Sequence, residues 1–223
     1  MILIKNLFLK FIREYYALYD INLEIKKGQK VSFVGSEDSG KTTLLRVIAN
    51  LEKITKGEVY IKDIPLAKIN YKTDLSVGYI PVKPIYLKKK TVYQNFVYLL
   101  KERGISEKEM EERINKTLIE FNIEKYRDET FENLSLYEQY LVCFARLGLR
   151  EIDLLLVDDV FKNLSKKEVT TIKEIIKQQF LSNKKLTSIV ATSNEELAEE
   201  LSQQKYYFKF GSKVETLKEE EEK

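Results

Sequence analysis

The chain has 223 residues, with 38 Lys and Arg against 35 Asp and Glu, for a net charge of +3. So even a balance gives no electrostatic case for a nucleic-acid partner, and none is expected. The length suits one large α/β domain or a domain with a small lobe inserted, hydrophobic residues at 43% support a real core, and the single cysteine, Cys143, excludes an internal disulfide.

Residues 1–35 read as strands: Ile2 to Leu9, Ile21 to Ile25, a Lys27-Gly28 turn, then Lys30 to Val34. After a helical run, a turn at Lys56-Gly57 and the alternation of Glu58 to Ile61 predict another strand, and Val77 to Ile80 one more. From Pro84 to Leu149 the period becomes helical, best in Val92 to Lys101, Glu107 to Glu120 and Leu136 to Leu147, which predicts an inserted helical lobe. Cys143 falls in the last run, between Val142 and Phe144, and reads as a small core residue. Leu154 to Val157 is an unbroken aliphatic run, as expected of a central parallel strand. A helix from Lys166 to Phe180, a strand from Ser188 to Thr192, a helix from Glu195 to Ser202 and a hairpin from Tyr206 to Val214 complete the order, before a solvated charged end. No apolar stretch reaches the roughly 20 residues that span a bilayer, and Met1 to Lys5 lacks the features of a signal peptide.

Gly35-Ser36-Glu37-Asp38-Ser39-Gly40-Lys41-Thr42 fits the phosphate loop G-x-x-x-x-G-K-[ST], set between an apolar strand and a helical run. The pattern points to a nucleoside triphosphate. Backbone N–H groups turn inward around an anion at a helix N-terminus, Lys41 reaches the terminal phosphates, and the Thr42 hydroxyl is a magnesium ligand. The binding candidates are therefore Gly35, Ser36, Glu37, Asp38, Ser39, Gly40, Lys41, Thr42 and Thr43. Asp38 tolerates a left-handed backbone, but its charge beside Glu37 weakens phosphate affinity unless both side chains face solvent. A magnesium nucleotide also needs a carboxylate at the end of a neighbouring strand, and Asp158 closes the aliphatic run. Asp159 then stands where a base for the attacking water would sit. Thr42 and Asp158 are the candidate metal ligands; Lys41 and Asp159 are the candidate catalytic residues.

In these segments the chain resembles the ATP-binding subunit of ABC transporters. Tyr19 to Gly28 looks like that family's approach to the phosphate loop, Leu44 to Leu51 and Gly57 to Ile61 look like its continuation beyond the loop, and Ala145-Arg146, Leu154 to Asp158 and Ile189 to Thr192 fall in the family's order. The resemblance implies an α/β fold, a P-loop NTPase (RecA-like) core with an antiparallel β edge and an inserted helical subdomain. One domain would span 1–223, with 1–83 and 150–216 as core, 84–149 as the helical subdomain and 217–223 as a charged tail. It implies ATP and Mg2+ as cofactors, and as partners transmembrane permease subunits, which choose the solute, and a second ATP-binding subunit. It also implies a cytoplasmic location, peripheral at the inner face of the cell membrane through those permease subunits. An aromatic before the loop usually stacks on adenine, and Phe11, Tyr15 and Tyr16 all qualify. Lys88-Lys89-Lys90 reads either as a solvated run or as a meeting point for an acidic loop or headgroups.

Several family positions differ. The signature L-S-G-G-Q is matched by Leu134-Ser135-Leu136-Tyr137-Glu138, with bulk and charge where glycine backbone would approach a partner's γ-phosphate. Val82 stands where the lid glutamine would be, Ser193 where the switch histidine would be, and Ser165 where the D-loop aspartate would be. The chain contains no histidine. Ser135, Ser165 and Ser193, each with Glu three residues on, read as capping boxes. Asp159 replaces a glutamate and is one methylene shorter. The expectation is a subunit that binds MgATP and hydrolyses it slowly or only with a partner, a heterodimer being favoured over a homodimer. A fully active transport ATPase and an interaction module with nucleotide as a structural ligand stay open as alternatives.

Overall fold

The computed structural model describes residues 1–12, 15–71, 73–101 and 104–217, so the charged tail lies outside it from 218 onward. In chain order the elements are β1 (Ile2–Ile12), β2 (Tyr15–Ile25), β3 (Lys30–Val34), α1 (Lys41–Ile48), β4 (Lys56–Ile61), β5 (Ile64–Pro65) and β6 (Val77–Ile80). Then come α2 (Val92–Lys101), α3 (Glu107–Glu120), α4 (Leu136–Gly148), β7 (Leu154–Asp158), α5 (Lys166–Ile175), a π-helical turn (Ile176–Leu181), β8 (Thr187–Thr192), α6 (Glu195–Leu201), β9 (Gln204–Lys209) and β10 (Ser212–Val214). The chain forms two compact units: Met1–Tyr79 with Ile152–Asp159 and the residues from Phe180 onward, and Ile80–Glu151 with Val160–Gln179.

The first unit is built on a six-stranded sheet in the order β10-β9-β3-β8-β7-β6. Strand β3 runs parallel to both β8 and β9, and β7 runs parallel to β8. Every residue of β3, β7 and β8 is buried, as in strands covered on both faces, which is why Leu154 to Val157 carries no polar alternation. The register pairs Val34 with Thr192 and Asp158 with Ala191, so the loop after β3 and the end of β7 emerge at the same edge.

A four-stranded antiparallel sheet, β2-β1-β4-β5, supplies the β edge. Its inward residues, among them Ile4, Leu18 and Ile25, join Leu44 and Ile48 of α1 and Leu154, Ile189 and Phe208 of the large sheet in one core. Strands β1 and β2 are longer than the sequence pattern suggests, because bulges interrupt the alternation. Asn6 and Asp20 adopt left-handed φ values of 45° and 47° there. Polar side chains close the gap: the Asn22 carbonyl accepts from the Asn6 backbone N–H at 2.8 Å, and Asp20 accepts from the Asn6 and Asn22 amides at 3.2 and 3.0 Å.

The second unit carries α2 to α5. Serine starts three of these helices: Ser106 accepts from the Glu109 N–H, and Ser135 and Ser165 form complete capping boxes with Glu138 and Glu168. Phe96, Phe131, Tyr140 and Phe144 fill the interior, and Cys143 is buried among them. The Tyr86 ring stacks on Phe131 with centroids 4.2 Å apart.

Two local expectations are corrected. The helix expected through Phe180 gives way after Ile175 to the π-helical turn. The third capping box does not form, because α6 begins one residue later than Ser193 would require. Asn194 is its N-cap and accepts from the Leu197 N–H at 3.0 Å, while the Thr192 hydroxyl accepts from the Asn194 N–H at 3.1 Å. No helix among the described residues is long and apolar enough to cross a membrane.

Lys30 is a buried charge at the start of β3, only 7% exposed, and its ammonium donates to the carbonyls of Asn183 (2.8 Å) and Leu186. Lys30→Met removes the donor and leaves both carbonyls short of a partner. Urea denaturation should show a loss of about 1–3 kcal/mol; an unchanged midpoint would mean that water serves those carbonyls equally well.

Candidate functional site

The phosphate loop leaves β3 with no room for side chains at two of its glycines. A Cβ on Gly35 would lie 2.3 Å from the Phe208 carbonyl oxygen and 2.7 Å from the Ser39 hydroxyl. Gly40, the N-cap of α1, has φ 99°, and a Cβ there would approach the Ala17 carbonyl and the Leu18 side chain to 3.0 Å. Asp38 takes φ 61° without being glycine, and Glu37 and Asp38 are both exposed. The loop therefore tolerates its two acids by turning them to solvent.

Lys41 is 4% exposed and folds back into the loop. Its ammonium donates to the carbonyls of Gly35 (2.7 Å) and Ser36 (2.6 Å) and to the Ser39 hydroxyl (3.1 Å). Burial lowers its pKa, and the carboxylates of Asp159, Asp158, Glu37 and Asp38 oppose that shift. The oxygen acceptors around the ammonium are of the kind a phosphate would replace.

Thr42 and Asp158 lie in contact. The Thr42 hydroxyl donates to Asp158 Oδ1 at 2.8 Å. A residue that no sequence motif singles out completes the arrangement: the Tyr79 hydroxyl, on β6, donates to Asp158 Oδ2 at 3.0 Å. The Asp158 carboxyl is raised by burial, against the pull of both hydrogen bonds. Tyr79 is pushed up by burial first and by the Asp158 charge next, so it remains a neutral donor. Asp159 comes next with φ 45°, and its N–H donates to the Ala191 carbonyl at 3.1 Å. Ser193, just after β8, is exposed.

The signature-like segment and the lid position belong to the second unit. The Glu138 carboxylate accepts from the Ser135 N–H at 2.8 Å, and the Ser135 hydroxyl accepts from the Glu138 N–H at 3.3 Å. A hydrogen bond from Tyr126 helps hold the Glu138 carboxyl below its ordinary range. The Val82 carbonyl accepts from the Tyr140 hydroxyl at 2.5 Å. Among the aromatics before the loop, Phe11 and Tyr15 are exposed, whereas Tyr16 packs edge-on to Phe8 and Tyr19 with Lys10 over its ring at 4.1 Å.

A parallel sheet with a glycine-bounded loop after β3, a lysine inside that loop, and a threonine and strand-end aspartate in contact defines the P-loop NTPase class. The chain belongs to the ABC transporter family, whose model matches residues 18–162. It is 29% identical over 192 residues to the uncharacterized ABC transporter ATP-binding protein YhaQ of Bacillus subtilis, covering 86% of this chain and 63% of that protein. It is 33% identical over 184 residues to the Fe(3+) ions import ATP-binding protein FbpC of Fusobacterium nucleatum, covering 80% of this chain and 48% of that protein. The chain thus spans less than two thirds of the length of either relative. Among solved structures, the dimeric post-hydrolysis state of the ATP-binding cassette MJ0796 bound to ADP and Pi superposes with a TM-score of 0.85 at 27% identity, covering 97% of both chains.

The clash at Gly35 gives a direct test of the loop's packing. Gly35→Ala forces the loop away from Phe208 and should cost about 1–3 kcal/mol, read as a fall of several degrees in Tm. A wild-type Tm would show that β9 can yield at no cost.

Proposed function

We propose that this chain is an ATP-binding subunit of an ABC-type transporter that binds MgATP at the phosphate loop and hydrolyses it slowly, or only with a partner subunit. The observation that carries the reading is the Thr42–Asp158 hydrogen bond at 2.8 Å beside a buried Lys41, an arrangement that suits a phosphate and a metal ion. That arrangement fits MgATP: hard oxygen ligands suit Mg2+, which commonly uses one or two carboxylates together with nucleotide phosphates. It needs no larger cage, and among the described residues no group of three or more His, Cys, Asp or Glu is placed to hold a metal ion. Bound MgATP would supply the triphosphate whose terminal phosphoryl group passes to water.

In this reading Gly35 to Thr43 bind the phosphates through backbone N–H groups, Lys41 neutralises their terminal charge, and Thr42 and Asp158 hold the metal. Asp159 orients the attacking water. Its carboxylate reaches about an ångström less far than a glutamate's, and a displacement of that size costs about 10²-fold in rate. Val82 and Ser193 bring neither the amide nor the imidazole found in the family at those positions. Phe11 and Tyr15 are the preferred candidates for stacking on adenine, because the Tyr16 ring is engaged by its neighbours.

The partners in this reading are permease subunits, through which the chain would sit at the inner face of a membrane, and a second ATP-binding subunit. A heterodimer is favoured, because Leu136 and Tyr137 replace the glycines of the signature and α4 begins with its own capping box. The relatives named as ATP-binding proteins and the dimeric cassette support the assembly in outline. We also take residues 84–149 as the helical part of a single ATP-binding domain whose core is 1–83 and 150–216.

Phosphate release by the purified chain with MgATP tests the degraded half of this proposal. Wild type should turn over well below about 1 per second, the lower end of ordinary enzyme rates. Asp159→Glu should raise the rate, by up to about 100-fold, and Asp159→Asn should abolish it. Wild-type turnover above that level, lost in Lys41→Ala, would instead identify an ordinary active ATPase.

A further inference from the structure

Asp158 is 1% exposed, yet both of its carboxylate oxygens receive hydroxyl donors, Thr42 on Oδ1 and Tyr79 on Oδ2. The two contacts differ in kind. Thr42 is itself a candidate metal ligand, so its bond to Oδ1 is the one that a cation would replace when both oxygens turn their lone pairs toward it. Tyr79 lies outside the phosphate loop, on β6, and its ring packs against the core of the first unit. Its hydroxyl is therefore located by packing and not by any ligand.

The terminal torsion of an aspartate is broad and roughly two-fold, so a carboxylate held at one oxygen by an exchangeable partner is free to swing. A second donor on the other oxygen removes that freedom. We propose that Tyr79 is a positioning residue for the metal-ligating carboxylate: its hydrogen bond to Oδ2 fixes the plane of Asp158 and keeps Oδ1 directed at the cation shared with Thr42. The inference rests on the reading of Asp158 as a metal ligand under the proposed function. Outer hydrogen bonds of this type set ligand orientation, and their loss commonly weakens metal affinity 10–100-fold. The arrangement also gives the tyrosine hydroxyl a use at a position where phenylalanine would pack equally well.

The test is Mn2+ affinity, titrated by electron paramagnetic resonance on the full chain saturated with ADP. Wild type, Tyr79→Phe and Asp158→Ala would be compared, each well below its own Tm. Tyr79→Phe should weaken Mn2+ binding by about 10–100-fold while leaving ADP affinity in excess chelator unchanged. Mn2+ affinity within twofold of wild type in Tyr79→Phe, with a clear loss in Asp158→Ala, would overturn the role of Tyr79 and leave the metal site standing. An equal loss of chelator-insensitive ADP affinity in Tyr79→Phe would also overturn it, because the defect would then lie in the whole loop. Unchanged Mn2+ affinity in Asp158→Ala would remove the metal-site reading itself.

Discussion

Backbone packed against backbone behind the phosphate loop is the constraint on which the rest of the site depends. The turn between β9 and β10 presses into it: the Gly211 N–H donates to the Ser39 carbonyl at 3.1 Å, and the Gly211 carbonyl accepts from the Tyr19 N–H at 2.8 Å. Gly211 itself has φ 78°, with the Ala17 carbonyl 2.8 Å from where a Cβ would stand. Gly35, Gly40 and Gly211 thus let the loop, β2 and the β9–β10 turn share a space in which a Cβ at any of the three would crowd its neighbours. With the loop held in this way, Lys41 can be buried against loop carbonyls and α1 can present Thr42 to Asp158.

That constraint leads to an uneven functional picture. The groups proposed to bind phosphate and metal sit in the first unit, on central strands and the helix after the loop, where packing fixes their positions. The positions that differ from the family are those that would sense or exploit the terminal phosphate. At Ser135 and Ser165 a helix start survives as a capping box while the family's glycines or carboxylate are absent. Helix initiation needs only a serine and a glutamate three residues on, so the fold places no demand on the lost groups. Under the proposed reading, these positions would lose chemistry without loss of structure.

The legible parts of the sequence were those with a strong local signal. Leu154 to Asp158 announced a central strand because burial on both faces leaves no polar residue before the final carboxylate, and Gly35 to Thr42 announced the loop through residue types that its backbone requires. The first half of β2 was hidden, since Tyr15 to Asp20 pairs with β1 through shifted registers that erase a period of two. The start of α6 at Glu195 was legible, but its cap was misread because Ser193 and Asn194 are both good caps and only the turn after β8 decides between them. Tyr79 gave no motif at all. Its role arises from β6 lying beside β7 in the sheet, a neighbour relation created by the fold across 79 positions of chain. The contribution of Gly211 was hidden for the same reason.

Equilibrium binding of ATP by the purified chain, titrated calorimetrically with and without Mg2+ and repeated for Lys41→Ala, tests the central claim most directly. The account predicts magnesium-enhanced binding by the wild type that the variant loses when each protein is measured well below its own Tm. Equal binding by both proteins, or none by the wild type, would contradict it, because the loop would then be a structural element and not a nucleotide site.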